Sequence, residues 1–146
     1  MNMEAIKQIS IFMENKYGKM ARVAKALADA NVNIRALTIA EAGDFGIVRM
    51  VVDDTEKGYK VLRDEGFTVL KTDVLAVEIT DSPGGLYEIV SSLGMNEINV
   101  DYAYAFVTAK SERAMLILRV DDLNGAANVL NEVGVRIATK AEIQNI

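Results

Sequence analysis

Residues 75–100 read LAVEITDSPGGLYEIVSSLGMNEINV, and residues 9–34 read ISIFMENKYGKMARVAKALADANVNI. At an offset of 66 the two stretches fall into step. Ile11 meets Val77, Gly18 meets Gly84, Met20 meets Leu86, Val23 meets Ile89, Leu27 meets Leu93, Asn33 meets Asn99 and Ile34 meets Val100. A two-residue insertion near Ser111 and Glu112 raises the offset to 68. Beyond it Val52-Asp53-Asp54 meets Val120-Asp121-Asp122, Val61-Leu62 meets Val129-Leu130, and Gly66 meets Gly134. Any two amphipathic helices share apolar positions by chance. Glycines, asparagines and a Val-Asp-Asp triplet recurring in the same order mark a duplicated unit.

Each copy has one order of elements. Ile9, Ile11 and Met13 alternate with Gln8, Ser10 and Phe12, the period of a strand, as do Leu75, Val77 and Ile79 with Glu78 and Thr80 facing away. After a glycine turn, Met20, Val23, Ala24 and Leu27 stand at helical spacing, matched by Leu86, Ile89, Val90 and Leu93. A hairpin follows, Ile34–Glu41 and Phe45–Val52 around Ala42-Gly43-Asp44, and in the second copy Val100–Val107 and Arg113–Val120 around a longer loop. Asp53-x-x-Glu56 reads as a capping box opening a second helix, whose buried stripe in the second copy is Ala126, Val129, Leu130 and Val133. Gly66 and Gly134 stand where that helix ends, and fourth strands are expected at Phe67–Val74 and Val135–Ala141.

Strand, helix, two strands, helix, strand is the ferredoxin-like order. The expected fold is therefore α+β: two tandem βαββαβ units, at 1–72 and 73–146, each an antiparallel sheet with its helices on one face. Only Lys71-Thr72-Asp73 separates the copies, too short a link to let them move as beads on a string.

Composition removes several function classes. The 146 residues are 51% hydrophobic and 25% charged, a globular profile, and no apolar run is long enough to span a membrane. The start of the chain, Met1–Glu4, lacks the features of a signal peptide, so the expected location is the cytoplasm. With no cysteine there are no disulfides and no thiolate metal sites. With no histidine, the usual neutral-pH base is missing, so no catalytic residue is expected and the chain reads as a non-enzyme. A net charge of −5 argues against nucleic acid and acidic lipid as partners. An RNA-binding sheet would also want aromatics in both copies, yet Phe12 and Phe45 become Glu78 and Arg113. Asp53-Asp54 and Asp121-Asp122 could suggest a divalent metal, but at helix starts aspartates more often serve as caps, and neither metal nor cofactor is expected.

What remains is the first turn of each copy, Asn15-Lys16-Tyr17-Gly18-Lys19-Met20 and Asp81-Ser82-Pro83-Gly84-Gly85-Leu86. A glycine at a helix start lets an anion reach free backbone N–H groups, where the helix dipole favours it. The same glycine also serves a merely tight turn, and residue type alone leaves both readings open.

The stretch Asp81-Ser82-Pro83-Gly84-Gly85-Leu86-Tyr87-Glu88-Ile89-Val90, followed by Glu97-Ile98-Asn99-Val100, closely resembles the first half of an ACT domain. That family's pattern is Asp/Asn-x-Pro-Gly-x-Leu, an amphipathic helix, then Asn-Ile or Asn-Val entering strand two. The first copy is similar through Asn15, Gly18, Met20, Val23, Leu27 and Val32-Asn33-Ile34, and departs in having Tyr17 in place of the proline. The resemblance spans the chain as two tandem units.

It implies a regulatory module that binds a free amino acid and acts in trans on a partner such as a metabolic enzyme. In the family, units pair side by side, and the ligand lies between the first turn of one unit and the start of strand two of its neighbour. Carried over by position, the ligand-binding residues would be Asn15, Tyr17, Gly18, Lys19 and Met20 in one copy. In the other they would be Asp81, Pro83, Gly84, Gly85 and Leu86, with Asn33 and Asn99 contributed by the partnering unit. Backbone N–H groups at Gly18–Met20 and Gly84–Leu86 would take the carboxylate, and Asp81 or an asparagine amide oxygen the ammonium. Asn33 and Asn99 could instead be turn residues with left-handed φ. Side chains placed at Gly84 or Gly85 are expected to block the ligand without unfolding the chain. A homodimer is the expected assembly. An assembly module without a ligand is the alternative.

Overall fold

The structure, a computed structural model, describes residues 5–107 and 113–144. The insertion near Ser111 and Glu112 and the first residues, Met1–Glu4, lie outside the described residues. The chain divides into two compact units, Lys7–Thr72 and Asp73–Ile146, with the start Met1–Ile6 counted in the latter.

The first unit runs β1 (Ile6–Glu14), α1 (Lys19–Asp29), β2 (Ile34–Ala42), β3 (Phe45–Val52), α2 (Thr55–Asp64) and the opening of β4 (Thr68–Thr80). Its strand order is β2-β3-β1-β4, with β3 antiparallel to both β2 and β1. Ile9 and Ile11 of β1 and Val48, Met50 and Val52 of β3 share one face of the sheet, and Val23 and Leu27 of α1 and Leu62 of α2 pack on it. Fully burying such a side chain contributes roughly 1.5–3 kcal/mol, so this stripe decides which way each strand faces. The stripe is narrower than the sequence implies, because Ala24 is exposed. On β1, Gln8 and Ser10 face away from the helices and are buried as well, with Gln8 Nε2 donating to Ser10 Oγ at 3.0 Å.

The second unit takes the rest of β4, then α3 (Gly85–Met95), β5 (Val100–Val107), β6 (Arg113–Val120), α4 (Leu123–Glu132) and α5 (Lys140–Gln144). Its strand order is β4-β6-β5, all antiparallel. Leu75 and Val77, Leu116, Leu118 and Val120 meet Ile89 and Leu93 of α3 and Ala126 and Leu130 of α4. Leu86 and Val133 fall off the expected stripes, at 51% and 53% exposed. The helices lie on one face of the sheet, as expected; the ferredoxin-like order is complete in the first unit, and in the second it runs as far as α4 before ending in α5.

Three local expectations are corrected. Lys71-Thr72-Asp73 does not separate two strands, because β4 runs unbroken from Thr68 to Thr80. The caps of the second helices stand one residue later than Asp53: Asp54 Oδ1 accepts the Lys57 N–H at 3.2 Å, and Asp122 Oδ1 accepts that of Gly125 at 2.9 Å. Most visibly, Val135–Ala141 is not a strand. A single antiparallel bridge, Val77 to Ile137, is all that forms, with Glu78 N donating to Arg136 O and Ala138 N to Ala76 O. The cause is a capping box, Thr139-x-x-Glu142, that turns the chain into α5. Glu142 N donates to Thr139 Oγ1 at 3.2 Å, and Thr139 N donates to Glu142 Oε1 at 3.2 Å.

All four long helices close alike. Val32 N bonds Leu27 O, Phe67 N bonds Leu62 O, Ile98 N bonds Leu93 O and Val135 N bonds Leu130 O, each after a residue of positive φ. That is the Schellman closure. Gly66 and Gly134 supply the left-handed residue for α2 and α4, while Asn31 and Glu97 supply it for α1 and α3.

Arg136 ties α5 to the sheet, pairing with Glu78 at 3.3 Å and with Glu142. The hydrogen bond from Arg136, above all, holds the Glu142 carboxyl below its ordinary value of 4.5. A depressed carboxyl pKa adds stability that is complete above the unfolded value and is lost as pH falls through the folded one. Glu142→Gln should therefore lower the urea midpoint at neutral pH. Across an acid series its deficit against the unmutated chain should shrink below pH 4.5 and vanish once Glu142 is protonated in both states. A deficit that stays constant across that series would exclude the ion pair as its cause.

Candidate functional site at the first turns

The two first turns share a backbone. Gly18 (φ 87) and Gly84 (φ 92) are the N-caps of α1 and α3, both left-handed, and neither helix has a side-chain cap. A left-handed N-cap holds no side chain over the helix start. The amides of Met20 and Ala21, and of Leu86 and Tyr87, therefore stand in the first turn, where no carbonyl of the helix can reach them. At α2 and α4 the aspartate cap accepts one of the equivalent amides, that of Lys57 or Gly125. A Cβ added at Gly18 or Gly84 would meet nothing within 4 Å, so the space over each turn is open.

Gly85 differs. A Cβ there would stand 2.3 Å from the Thr80 carbonyl oxygen, so Gly85 is glycine because strand and helix approach closely. Gly85 is buried, while Asp81, Ser82, Pro83 and Gly84 are exposed. The expectation that side chains at Gly84 or Gly85 leave the fold intact is corrected on both counts: one position needs positive φ and the other has no room. The first copy has Lys19 at the position of Gly85, so its turn lacks that close approach.

Asn15 is held by the β2–β3 hairpin. Its N–H donates to Asp44 O at 2.7 Å and its Nδ2 to Gly43 O at 3.4 Å. Tyr17 is fully exposed, and Met20 packs against the core. Beside the turn, Lys16 Nζ lies 2.8 Å from Glu14 Oε2, and that hydrogen bond lowers the Glu14 carboxyl from its ordinary value.

Asn33 and Asn99 are not left-handed; that role falls to Asn31 and Glu97, two residues earlier. Instead their backbones are clamped. Asn33 N donates to Asp53 Oδ1 at 2.9 Å, and Asp53 N returns a bond to Asn33 O at 3.0 Å. Asn99 N and Asp121 Oδ1 repeat this at 3.0 Å, with Asp121 N to Asn99 O at 3.2 Å. Asp53 and Asp121 were missed as positioning residues, although the repeated Val-Asp-Asp triplet carried the signal. Asn99 Nδ2 also donates to Asp101 Oδ1 at 3.0 Å.

Within one unit the two groups of expected residues do not converge. α1 has 11 residues, and at 1.5 Å of rise each it holds Gly18 and Asn33 roughly 16 Å apart. A ligand touching both kinds of residue needs them from two different units.

The sequence matches the family described as an ACT domain pair over residues 4–145. The chain belongs to that family. A crystal structure of the protein BT0572 from Bacteroides thetaiotaomicron is 35% identical, with a TM-score of 0.90 and 97% of each chain covered. The regulatory subunit of aspartate kinase from Thermus thermophilus, in its ligand-free form, shares the fold at 16% identity and a TM-score of 0.65, over 91% of this chain and 95% of that one. The corresponding Thermus flavus subunit has a TM-score of 0.61 at 16% identity, covering 90% and 93%. No match is found among curated proteins.

Each turn of this ACT pair has its own steric demand. Gly85→Ala should destabilise the ligand-free chain by about 1–3 kcal/mol through overpacking on Thr80. Gly84→Ala should cost roughly 1–2 kcal/mol through its left-handed φ. Lys19→Ala, at the first-copy counterpart of Gly85, should change the urea midpoint little. An unchanged midpoint for Gly85→Ala would show that the strand and helix do not meet so closely.

Proposed function

We propose that this ACT pair is a regulatory sensor of a free α-amino acid, with each half, 1–72 and 73–146, acting as one ACT unit. It acts in the cytoplasm, carries out no chemistry of its own and passes its ligand state to a partner such as a metabolic enzyme. The observation that carries this reading is the sorting of helix starts. Two are sealed by Asp54 and Asp122, and two are left uncapped behind Gly18 and Gly84. A carboxylate placed over the first-turn amides gains up to ~2 kcal/mol from the dipole when partly buried. Hydrogen bonds to charged groups add about 1.5–3 kcal/mol each. Asp81 is the acid available for the ammonium. Asn15, Tyr17, Lys19, Met20, Pro83, Gly85 and Leu86 shape the turns, and Asn33 or Asn99 reaches in from a neighbouring unit. The alternative, an assembly module whose turns are only structural, needs no amino acid.

Because the two groups of residues stand far apart in one unit, the reading also calls for pairing between units. β2 ends the strand order of the first unit, with Leu37 and Ile39 exposed on it, and an unpaired apolar edge is open to a second copy. We infer a homodimer through this edge.

A melting-temperature screen over the twenty amino acids should give at least one hit. A ligand at a hundred times its dissociation constant adds about 2.7 kcal/mol. The amide of that amino acid and its decarboxylated amine should give little or no shift, and Asp81→Ala should weaken the response without changing the ligand-free melting point. Equal shifts with acid and amide would exclude the carboxylate-at-helix mechanism, and no hit at all would favour the assembly module. Separately, light scattering should report a dimer that Leu37→Lys with Ile39→Lys converts to monomer; a monomer at every concentration would remove the edge from the reading.

A further inference from the structure

Among the described residues the strand order ends on β2 in the first unit and on β5 in the second. The duplication lets these two edges be compared position by position. Leu37 and Ile39 pair with Met50 and Val48 across the β2–β3 ladder, so they point to the face that carries the helices, yet they stand 43% and 54% exposed. Their counterparts Ala103 and Ala105 pair with Leu118 and Leu116 on the same face and are exposed as well.

The helix beside each edge has the opposite relief. Arg22 of α1 donates to Glu65 O, just past α2, so the flank of α1 that bears it faces α2. The other flank, toward the β2 edge, is Ala24 and Ala28, four residues apart and both exposed. In α3 the same positions are Val90 and Gly94. The first edge therefore sets large strand residues beside a flat run of alanines. The second sets a flat strand of alanines beside a helix flank on which Val90 stands out. Joined strand to strand and helix to helix, unlike edges bring a projection onto a recess in both layers. Pairing like with like leaves one layer underfilled, alanine flank on alanine flank or alanine strand on alanine strand.

Charge sorts the halves in the same way. Residues 7–72 hold 11 Lys and Arg against 9 Asp and Glu, a net +2, and residues 73–146 hold 5 against 11, a net −6. The elements nearest the second edge, α3 and β5, carry Glu88 and Asp101 and no cation, whereas α1 and β2 carry four cations and two acids. Opposite signs steer unlike halves together, and like charge penalises a pair of second halves.

We propose that the β2 edge of one copy pairs with the β5 edge of another, so that the chain assembles first half to second half and not like to like. This rests on the reading of the open β2 edge given above and names the surface that covers it. Every ligand site at a first turn is then mixed. The turn at Gly18 meets Asn99 of the neighbouring copy, and the turn at Gly84 meets its Asn33.

The test uses two variants of the full chain and light scattering. Leu37→Lys with Ile39→Lys blocks the β2 edge, and Ala103→Lys with Ala105→Lys blocks the β5 edge. All four positions are exposed, and a retained circular dichroism spectrum checks the fold; the single changes Ile39→Lys and Ala105→Lys repeat the test with less burden on it. Each variant alone should be a monomer. An equimolar mixture should double in mass to a complex of one chain of each kind and grow no further, because the edges left over are both blocked. A dimer of the β5-blocked chain alone would overturn the proposal while leaving a homodimer through β2 standing. A dimer of the β2-blocked chain alone, or a mixture that stays monomeric, would overturn it as well. An unmutated chain that is monomeric at every concentration would remove both readings.

Discussion

A helix cannot satisfy its own first amides, and this chain meets that constraint in two ways. At α2 and α4 an aspartate folds back over the opening turn, and the helix start is closed. At α1 and α3 a left-handed glycine carries the chain away from the axis and leaves the opening turn bare. Both solutions occur once in each copy, in the same order, so the difference belongs to the unit and not to local accident. The preceding Asp53 and Asp121 then do a separate task, clamping the strand that follows the bare helix through paired backbone bonds to Asn33 and Asn99. The acidic pairs that could have suggested metal are thus spent as hydrogen-bond acceptors, one residue for each function.

The two copies agree in their helix closures and strand irregularities and differ in how they end, in a strand after α2 and in α5 after α4. All four Schellman closures recur, as do the β-bulges near Ile34 and Val100. Yet Lys19 stands opposite Gly85, Phe12 opposite Glu78, and Thr68 opposite Arg136.

Much of this was legible in the sequence because it is periodic or local. Alternation placed Ile9 and Ile11 inward, the helical stripes found Val23, Leu27, Ile89 and Leu93, and Gly43 marked the hairpin. What escaped was set by neighbours distant in sequence or by competition between adjacent signals. Gly85 faces the Thr80 carbonyl, a contact no spacing rule announces. Asp53 and Asp54 are both plausible caps, and only the strand geometry says which one reaches the helix. Val135–Ala141 alternates like a strand, but Thr139-x-x-Glu142 wins because its reciprocal bonds form within four residues and need no partner strand. In the first turns, residue type located the candidate residues, whereas the distance between Gly18 and Asn33 became apparent only once α1 had a length.

The unbroken run of β4 from Thr68 to Thr80 has an evolutionary consequence. Most duplicated domains are joined by a tether that tolerates drift in length, so their halves can be shuffled, swapped or separated. Here the junction is itself hydrogen-bonded strand, flanked in the strand order by β1 and β6. A single inserted residue would turn every side chain beyond it to the opposite face, so a length change at the fusion point would cost one half its core face. The one length difference between the copies falls between β5 and β6. The halves can differ in their surface residues, but the length of the strand they share is held by its pleat.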